Sequence, residues 1–317
     1  MARVSVIIPT HNRPQLLARA LHSVATQTYQ DLELIVVQNG GIRGSESAMV
    51  DRLRDQVDVT YLYEGRPGVC HARNLGIQHA KGRYIAFLDD DDEWLPTKLE
   101  RQVEVLERDP GVGVVTCQSR IVDEAGQAIG YGGEIEGELS FQQLVERGCQ
   151  IPSCSSVIIR RECLDRVGYF STRYRIVDDY DLYLRLAIIC RFVALPEPLF
   201  YYRLHSGNIS KQEDRMWKEY VEVLQTVRPS SHHGLTRQSI NAARFKIQKH
   251  HYSLATQAMQ GGHYQKASRI FWDALRLDPL IGLKLPWGRS RNPIYRTIRP
   301  YVGGVYCGVV ALCQHPT

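Results

Sequence analysis

The 317-residue sequence has no apolar run approaching the roughly 18 to 20 residues that a membrane-spanning helix needs. The stretch Val302 to Cys313 is apolar but short, enough only to lie on a membrane. No CxxC pair occurs, and Cys70, Cys117, Cys149, Cys154, Cys163, Cys190, Cys307 and Cys313 are irregularly spaced. That pattern argues against a disulfide framework and for reduced, cytosolic thiols. Met1 runs almost directly into the strand Val4 to Ile8, so no targeting segment is expected. Charge imbalance is also slight. With 39 basic and 34 acidic residues the net charge is +5, too mild to call for a nucleic acid. Acid is missing altogether after Asp278, while Lys284, Arg289, Arg291, Arg296 and Arg299 remain. Such a basic tail is either solvated or a peripheral contact for an anionic membrane surface.

A hydrophobic content of 44% with 23% charged residues is ordinary for a soluble globular protein of one large or two modest domains. The first half alternates strand and helix signals. Val4 to Ile8 reads as a strand, and the turn Pro9-Thr10-His11-Asn12 follows it, with Asn12 placed to cap a helix that has Pro14 in its first turn. Leu16, Leu17, Ala20, Leu21 and Val24 share one face of that helix. Leu32 to Val37 is the second strand, ending at Gln38-Asn39-Gly40-Gly41. A polar helix over about Ser45 to Gln56, a strand over Val59 to Tyr63 and a helix over about Val69 to Ala80 come next. This order predicts βαβ units and a mainly parallel sheet, with ligands beyond the carboxyl ends of its strands.

One of those ends is unusual. The run Tyr84 to Leu88 stops at Asp89-Asp90-Asp91-Asp92-Glu93. Carboxylates at this density are hard ligands suited to Mg²⁺ or Mn²⁺, and Mg²⁺ completes its shell with water and substrate phosphates. The other reading is a solvated acidic turn ahead of the helix that starts near Pro96. Farther on, Val112 to Thr116 and Ser156 to Ile159 read as strands, with glycine-rich turns around Gly130 to Gly137. Asp178 and Asp179 lead into an amphipathic helix, either as caps or with one of them a general base. From about Lys211 onward the chain reads as helical. Ala243 to Pro279 resembles a single tetratricopeptide-type helix pair split at Gly261-Gly262. The expected division is a catalytic domain over residues 1–212 and a helical extension with a basic tail over 213–317.

Six segments in order carry a resemblance to the family 2 glycosyltransferases. They are Val4 to Arg13, Gln27 to Asp31, Gly68 with Ala72 to Gly76 and Ala80 to Tyr84, Phe87 to Asp92, Asp178-Asp179, and Tyr202 to His205. The resemblance covers Val4 to about Ser210 and implies a GT-A fold, an α/β Rossmann-like mixed sheet. It implies an inverting, metal-dependent transfer of one sugar from a nucleotide-sugar to a hydroxyl of a glycan or lipid-linked acceptor, in cell-envelope polysaccharide synthesis. Asp179 would be the catalytic base. Asp91, Asp89 and His205 would hold Mn²⁺ or Mg²⁺, and Pro9, Thr10, Asn12, Asn39, Arg73, Asp89 and Asp90 would bind the donor. Arg73 steadies phosphates or pairs with an acid, and His205 meets the metal or is a loop histidine. Gln38-Asn39 stands where the family has an Asp pair; an amide oxygen can still accept the uracil N3–H, so a UDP-sugar is favoured.

Two relatives of this chemistry fit less well. Processive synthases carry a Gln/Arg-x-x-Arg-Trp motif and membrane spans, and Asp214-Arg215-Met216-Trp217 lacks that frame. A pyrophosphorylase would have a glycine-rich loop where Pro9 to Arg13 has no glycine. The alternative from another class is a degenerate sugar-nucleotide-binding adaptor. The expected place is the cytoplasm, at the inner face of the plasma membrane.

Overall fold

A computed structural model of the chain describes residues 3–133, 135–208, 212–228, 236–268 and 270. It forms two compact units, Met1–Ile209 and Ser210–Thr317. The first unit runs β1 (Val4–Thr10), α1 (Pro14–Ala25), β2 (Leu32–Asn39), α2 (Ser47–Asp51), β3 (Asp58–Glu64), α3 (Val69–His79), β4 (Tyr84–Phe87), β5 (Glu93–Trp94) and α4 (Lys98–Arg108). It continues with β6 (Val112–Val122), β7 (Ala128–Gly132), β8 (Gly137–Leu139), α5 (Phe141–Arg147), β9 (Ile158–Arg160), α6 (Arg161–Val167), α7 (Asp178–Ala187) and β10 (Arg191–Arg203).

All ten described strands join one sheet in the order β3-β2-β1-β4-β9-β6-β10-β5, with β7 beside β6 and β8 beside β10. β3, β2, β1 and β4 are mutually parallel, whereas β9 runs antiparallel to both β4 and β6. Every residue of β1 and β2 is buried, as strands covered on both faces require. Pro9 is tolerated inside β1 because β4 pairs only as far as Ile7–Phe87, so its missing N–H falls past the end of that ladder.

The expected elements are present with three differences. The polar helix shrinks to α2, five residues among turns. α1 begins at Pro14 with Arg13 in the cap position and no side-chain cap; Asn12 instead takes φ +53°. The region expected to hold turns and a closing segment contains β7, β8 and the thirteen-residue β10. β10 keeps Pro196 and Pro198 by slipping register between Leu195 and Pro198.

In the second unit α8 (Glu213–Thr226) precedes α9 (Arg237–Gln260), which Thr236 caps by accepting a hydrogen bond from the Ser239 N–H. A turn at Gly261-Gly262 leads back into helix at 264–268. The rest of the expected helix pair and the basic tail lie outside the described residues. No described helix is long and apolar enough to cross a membrane.

A buried lysine braces the acidic segment from behind. The Lys98 ammonium lies 4.1 Å from the centre of the Trp94 ring and donates to Gln102 Oε1 at 2.7 Å. Trp94 Nε1 in turn donates to the Ser155 carbonyl at 2.8 Å. Burial lowers the Lys98 pKa to about 8, so below that pH folding must bury a charge that no carboxylate answers. Lys98→Met should therefore raise stability by on the order of 2 kcal/mol at pH 7. The gain should shrink between about pH 8 and the unfolded value of 10.5, where wild type folds with an already neutral amine. Thermal unfolding across pH checks this; a destabilised variant at pH 7 would contradict it.

Candidate functional site

Because β1, β2 and β4 are parallel neighbours, their carboxyl ends align along one edge of the sheet. That edge carries Thr10 to Arg13, Asn39 to Gly41, and the aspartate run. Gly41 has φ +72°, and a Cβ there would overlap Asn12 Oδ1, so the two loops pack in a way that only glycine permits.

Each acid of the run has a different partner. Asp89 receives a hydrogen bond from Arg73 Nη2 at 2.7 Å, and its backbone N–H donates to Ser155 Oγ at 3.0 Å. Asp90 accepts from Arg13 Nη1 at 3.2 Å and from the His11 N–H at 3.4 Å. Asp91 Oδ2 sits 2.9 Å from Arg13 Nη1 and 2.9 Å from His205 Nε2. Asp92 accepts from the Arg203 N–H at 3.1 Å and from Ser153 Oγ at 3.5 Å. Glu93 pairs with Arg203, the last residue of β10. The end of β10 is thus pinned beneath the run, which carries His205 to Asp91.

Arg73 is the connecting member. Its side chain is 7% exposed, and while Nη2 holds Asp89, Nη1 donates to Asp178 at 2.8 Å. The pairing with acids, one of the two readings for Arg73, is present on both sides of its guanidinium. It fastens the aspartate run to the first turn of α7, where Asp178 is buried and Asp179 is partly exposed. Asp179 Oδ1 accepts the Tyr180 N–H at 2.7 Å.

Crowding shifts the acids upward. Burial first and the Asp91 charge second push Asp90 up to about 6, against the pull of Arg13. Burial also raises Asp92 well above the ordinary range, helped by Asp91 and Asp89. Asp179 rises to about 7 through burial and the neighbouring Asp178 charge, with Arg73 opposing. A carboxylate poised near neutrality is suited to take a proton from a hydroxyl.

The remaining candidates are placed unevenly. Pro9 and Thr10 are buried at the end of β1, and the Thr10 hydroxyl has no hydrogen-bond partner among the described residues. Asn12 is exposed. Asn39 is 8% exposed, with its amide already in use: Oδ1 accepts the Gly68 N–H at 2.9 Å and Nδ2 donates to the Arg66 carbonyl at 2.7 Å. Its side chain closes the loop between β3 and α3. Sequence reasoning did not single out Arg13, Ser153, Ser155 or Arg203. Arg13 and Arg203 do lie inside recognisable motifs, whereas nothing in the sequence marks the serines.

As metal donors, Asp91 and His205 converge on one point and Asp89 turns its bonded oxygen to Arg73. No three His, Cys, Asp or Glu side chains form a ready cage among the described residues. One or two carboxylates, with phosphates and water supplying the rest, is the usual pattern for Mg²⁺; Asp91 and Asp89 fit it, and the His205 imidazole is a softer donor beside them.

Known proteins share both sequence and architecture with this chain. The family model described as Glycosyl transferase family 2 matches residues 5–168. An uncharacterized glycosyltransferase of Nostoc sp. is 31% identical over 217 residues, 65% of this chain and 66% of that protein. The Escherichia coli UDP-Glc:alpha-D-GlcNAc-diphosphoundecaprenol beta-1,3-glucosyltransferase WfaP is 27% identical over 238 residues, 74% of this chain and 90% of that protein. Among solved structures, S. aureus TarS 1–349 in complex with UDP-GlcNAc superposes with a TM-score of 0.65 at 16% identity, covering 99% of this chain and 93% of that one. The mannosyltransferase PcManGT from Pyrobaculum calidifontis, in complex with GDP-Man and Mn²⁺, gives 0.59 at 20% identity, over 98% and 87%. At these identities the structural likeness shows the fold, the expected GT-A arrangement.

The pKa of Asp92 has a consequence for stability. An acid whose folded pKa is raised stabilises the fold below its unfolded pKa and loses that contribution as pH climbs through the folded value. Asp92→Asn keeps an oxygen for the Arg203 N–H without the charge. The variant should melt higher than wild type at pH 8, and the difference should vanish as pH falls toward 4. Melting curves that stay parallel over this range would contradict the assignment.

Proposed function

The chain belongs to glycosyl transferase family 2, and on that footing we propose that it transfers one sugar, with inversion, from a nucleoside-diphosphate donor to a hydroxyl of a lipid-linked glycan. The observation that carries this reading is the Arg73 bridge, which holds Asp89 of the donor-side acid run and Asp178, the neighbour of Asp179, on one guanidinium. Donor binding and proton abstraction are built as one piece.

In the proposed reaction Asp179 accepts the proton of the acceptor hydroxyl as its oxygen attacks the anomeric carbon. The bond to the diphosphate breaks on the opposite face, which inverts the configuration. The Asp179 carboxylate acts by position, at the partly exposed start of α7. Asp91 and His205, with Asp89 beside them, would hold Mn²⁺ or Mg²⁺; bound there, it would supply Lewis-acid stabilisation of charge on the departing diphosphate. Thr10, Asn12 and Asp90 line the donor side, with Pro9 and Asn39 shaping its loops. WfaP supports the donor and acceptor classes, since its name specifies UDP-Glc and a diphosphoundecaprenol-linked GlcNAc. An acceptor of that kind would place the enzyme against a membrane surface, where the basic residues after Asp278 would favour anionic lipid.

The test uses the purified full chain with Mn²⁺, UDP-hexoses and a GlcNAc-diphospholipid. Asp179→Asn should lower kcat by about 10² to 10⁴-fold while leaving UDP affinity unchanged. In wild type kcat/KM should fall about tenfold per pH unit below about pH 7, because the protonated Asp179 cannot accept a proton. Full turnover by the Asn variant would remove Asp179 from the mechanism, and UDP binding without any transfer by wild type would favour an adaptor.

A further inference from the structure

The acid run from Asp89 to Glu93 is answered from within the protein. Asp89 has Arg73, Asp90 and Asp91 have Arg13, Asp91 also has His205, Asp92 has a backbone N–H and Ser153, and Glu93 has Arg203. Among the three arginines Arg13 differs in access. Its side chain is 35% exposed, against 7% for Arg73 and 6% for Arg203. Arg73 and Arg203 are locked in the fold, while Arg13 reaches in from the rim.

Arg13 also stands on the oxygen that a cation would need. Its Nη1 and His205 Nε2 meet the same Asp91 Oδ2, each at 2.9 Å. The other terminal nitrogen lies over Gly207, where a Cβ would come within 3.7 Å of Nη2 and 3.1 Å of His205 Nδ1. The guanidinium is therefore wedged between the acids and the loop that presents His205. A divalent cation on Asp91 and His205 would find a full positive charge already seated, and the two cannot share one carboxylate oxygen without repulsion. A diphosphate offers Arg13 an alternative, because phosphate oxygens match its planar fork as well as a carboxylate does.

We propose that Arg13 is an exchangeable counter-cation: it occupies Asp91 when no donor is present and leaves for the donor's phosphates as a divalent cation takes its place. Metal and nucleotide binding are then coupled through one side chain, and the metal alone binds poorly. The role is a positioning one, and it rests on the donor reading given above.

The test measures Mn²⁺ binding by the metal-stripped full chain, calorimetrically, with and without UDP, in wild type, Arg13→Gln and Arg13→Lys. Wild type should bind Mn²⁺ weakly alone and roughly tenfold or more tightly with UDP, within the usual range of coupling between sites. Arg13→Gln should bind Mn²⁺ alone roughly tenfold tighter than wild type, and the gain from UDP should shrink by a similar factor. Arg13→Lys keeps the charge without the fork and should stay nearer to wild type. Equal Mn²⁺ affinity of wild type and Arg13→Gln without UDP, or an unchanged gain from UDP, overturns the proposal. If wild type fails to bind UDP at any Mn²⁺ concentration, the donor reading fails instead; UDP binding by wild type with an indifferent Gln variant discards only the role of Arg13.

Discussion

One buried guanidinium sets the geometry of the site. Arg73 projects from α3, with one nitrogen on Asp89 and another on Asp178. It thereby joins a strand end near the middle of the sheet to a helix start more than eighty residues later in the chain. Breaking such a buried pair by removing one partner typically costs about 3–5 kcal/mol, because the remaining charge is stranded. One side chain therefore ties the start of α7 to the acid run. The face of Phe170 lies over Arg73, with its ring centre 5.2 Å from the guanidinium carbon.

Around this bridge the protein concentrates negative charge and answers it unevenly. Asp89 and Asp90 are held by arginines, whereas Asp92 has only a neutral N–H and a hydroxyl to set against the burial and the Asp91 and Asp89 charges that keep its proton on. No described arginine pairs with Asp179, and burial with the Asp178 charge pushes it up to about 7 against the pull of Arg73. On the proposed reading, a site that receives a diphosphate with a cation gains from this arrangement. Its acids are neutralised by groups that differ in exposure, Arg13 at the rim and Arg73 and Arg203 buried. The contribution of family 2 membership is the reaction class; the contribution of the geometry is how each acid is partnered.

Much of the site was legible in the sequence because its signals are local. The aspartate run ends an apolar strand, Asp178 and Asp179 open a helix, and β1 and β2 are continuous apolar runs bounded by polar turns. β10 was not legible, because Pro196 and Pro198 argue against a strand and only a register slip against β6 accommodates them. β7 and β8 read as glycine-rich turns because Gly130, Gly132 and Gly137 lack the β-branched pattern of strands. The cap assigned to Asn12 failed for a tertiary reason: its side chain packs on Gly41 of a neighbouring loop. Asn39, read for its amide, turned out to spend both ends of that amide on loop closure. Pairings such as Arg13 with Asp91 span 78 positions, and no sequence pattern encodes which acid a given arginine will meet.

The most direct test of the account is whether a nucleoside diphosphate and a divalent cation bind this edge together. Thermal unfolding of the full chain with UDP, GDP, CDP or dTDP, each with Mn²⁺, Mg²⁺ or EDTA, reads it out. A ligand at about 100 times its dissociation constant adds about 2.7 kcal/mol, a shift of several degrees. The account expects one diphosphate, UDP first, to raise the melting temperature with the metal and not with EDTA. No shift with any of the four nucleotides in either metal would contradict it.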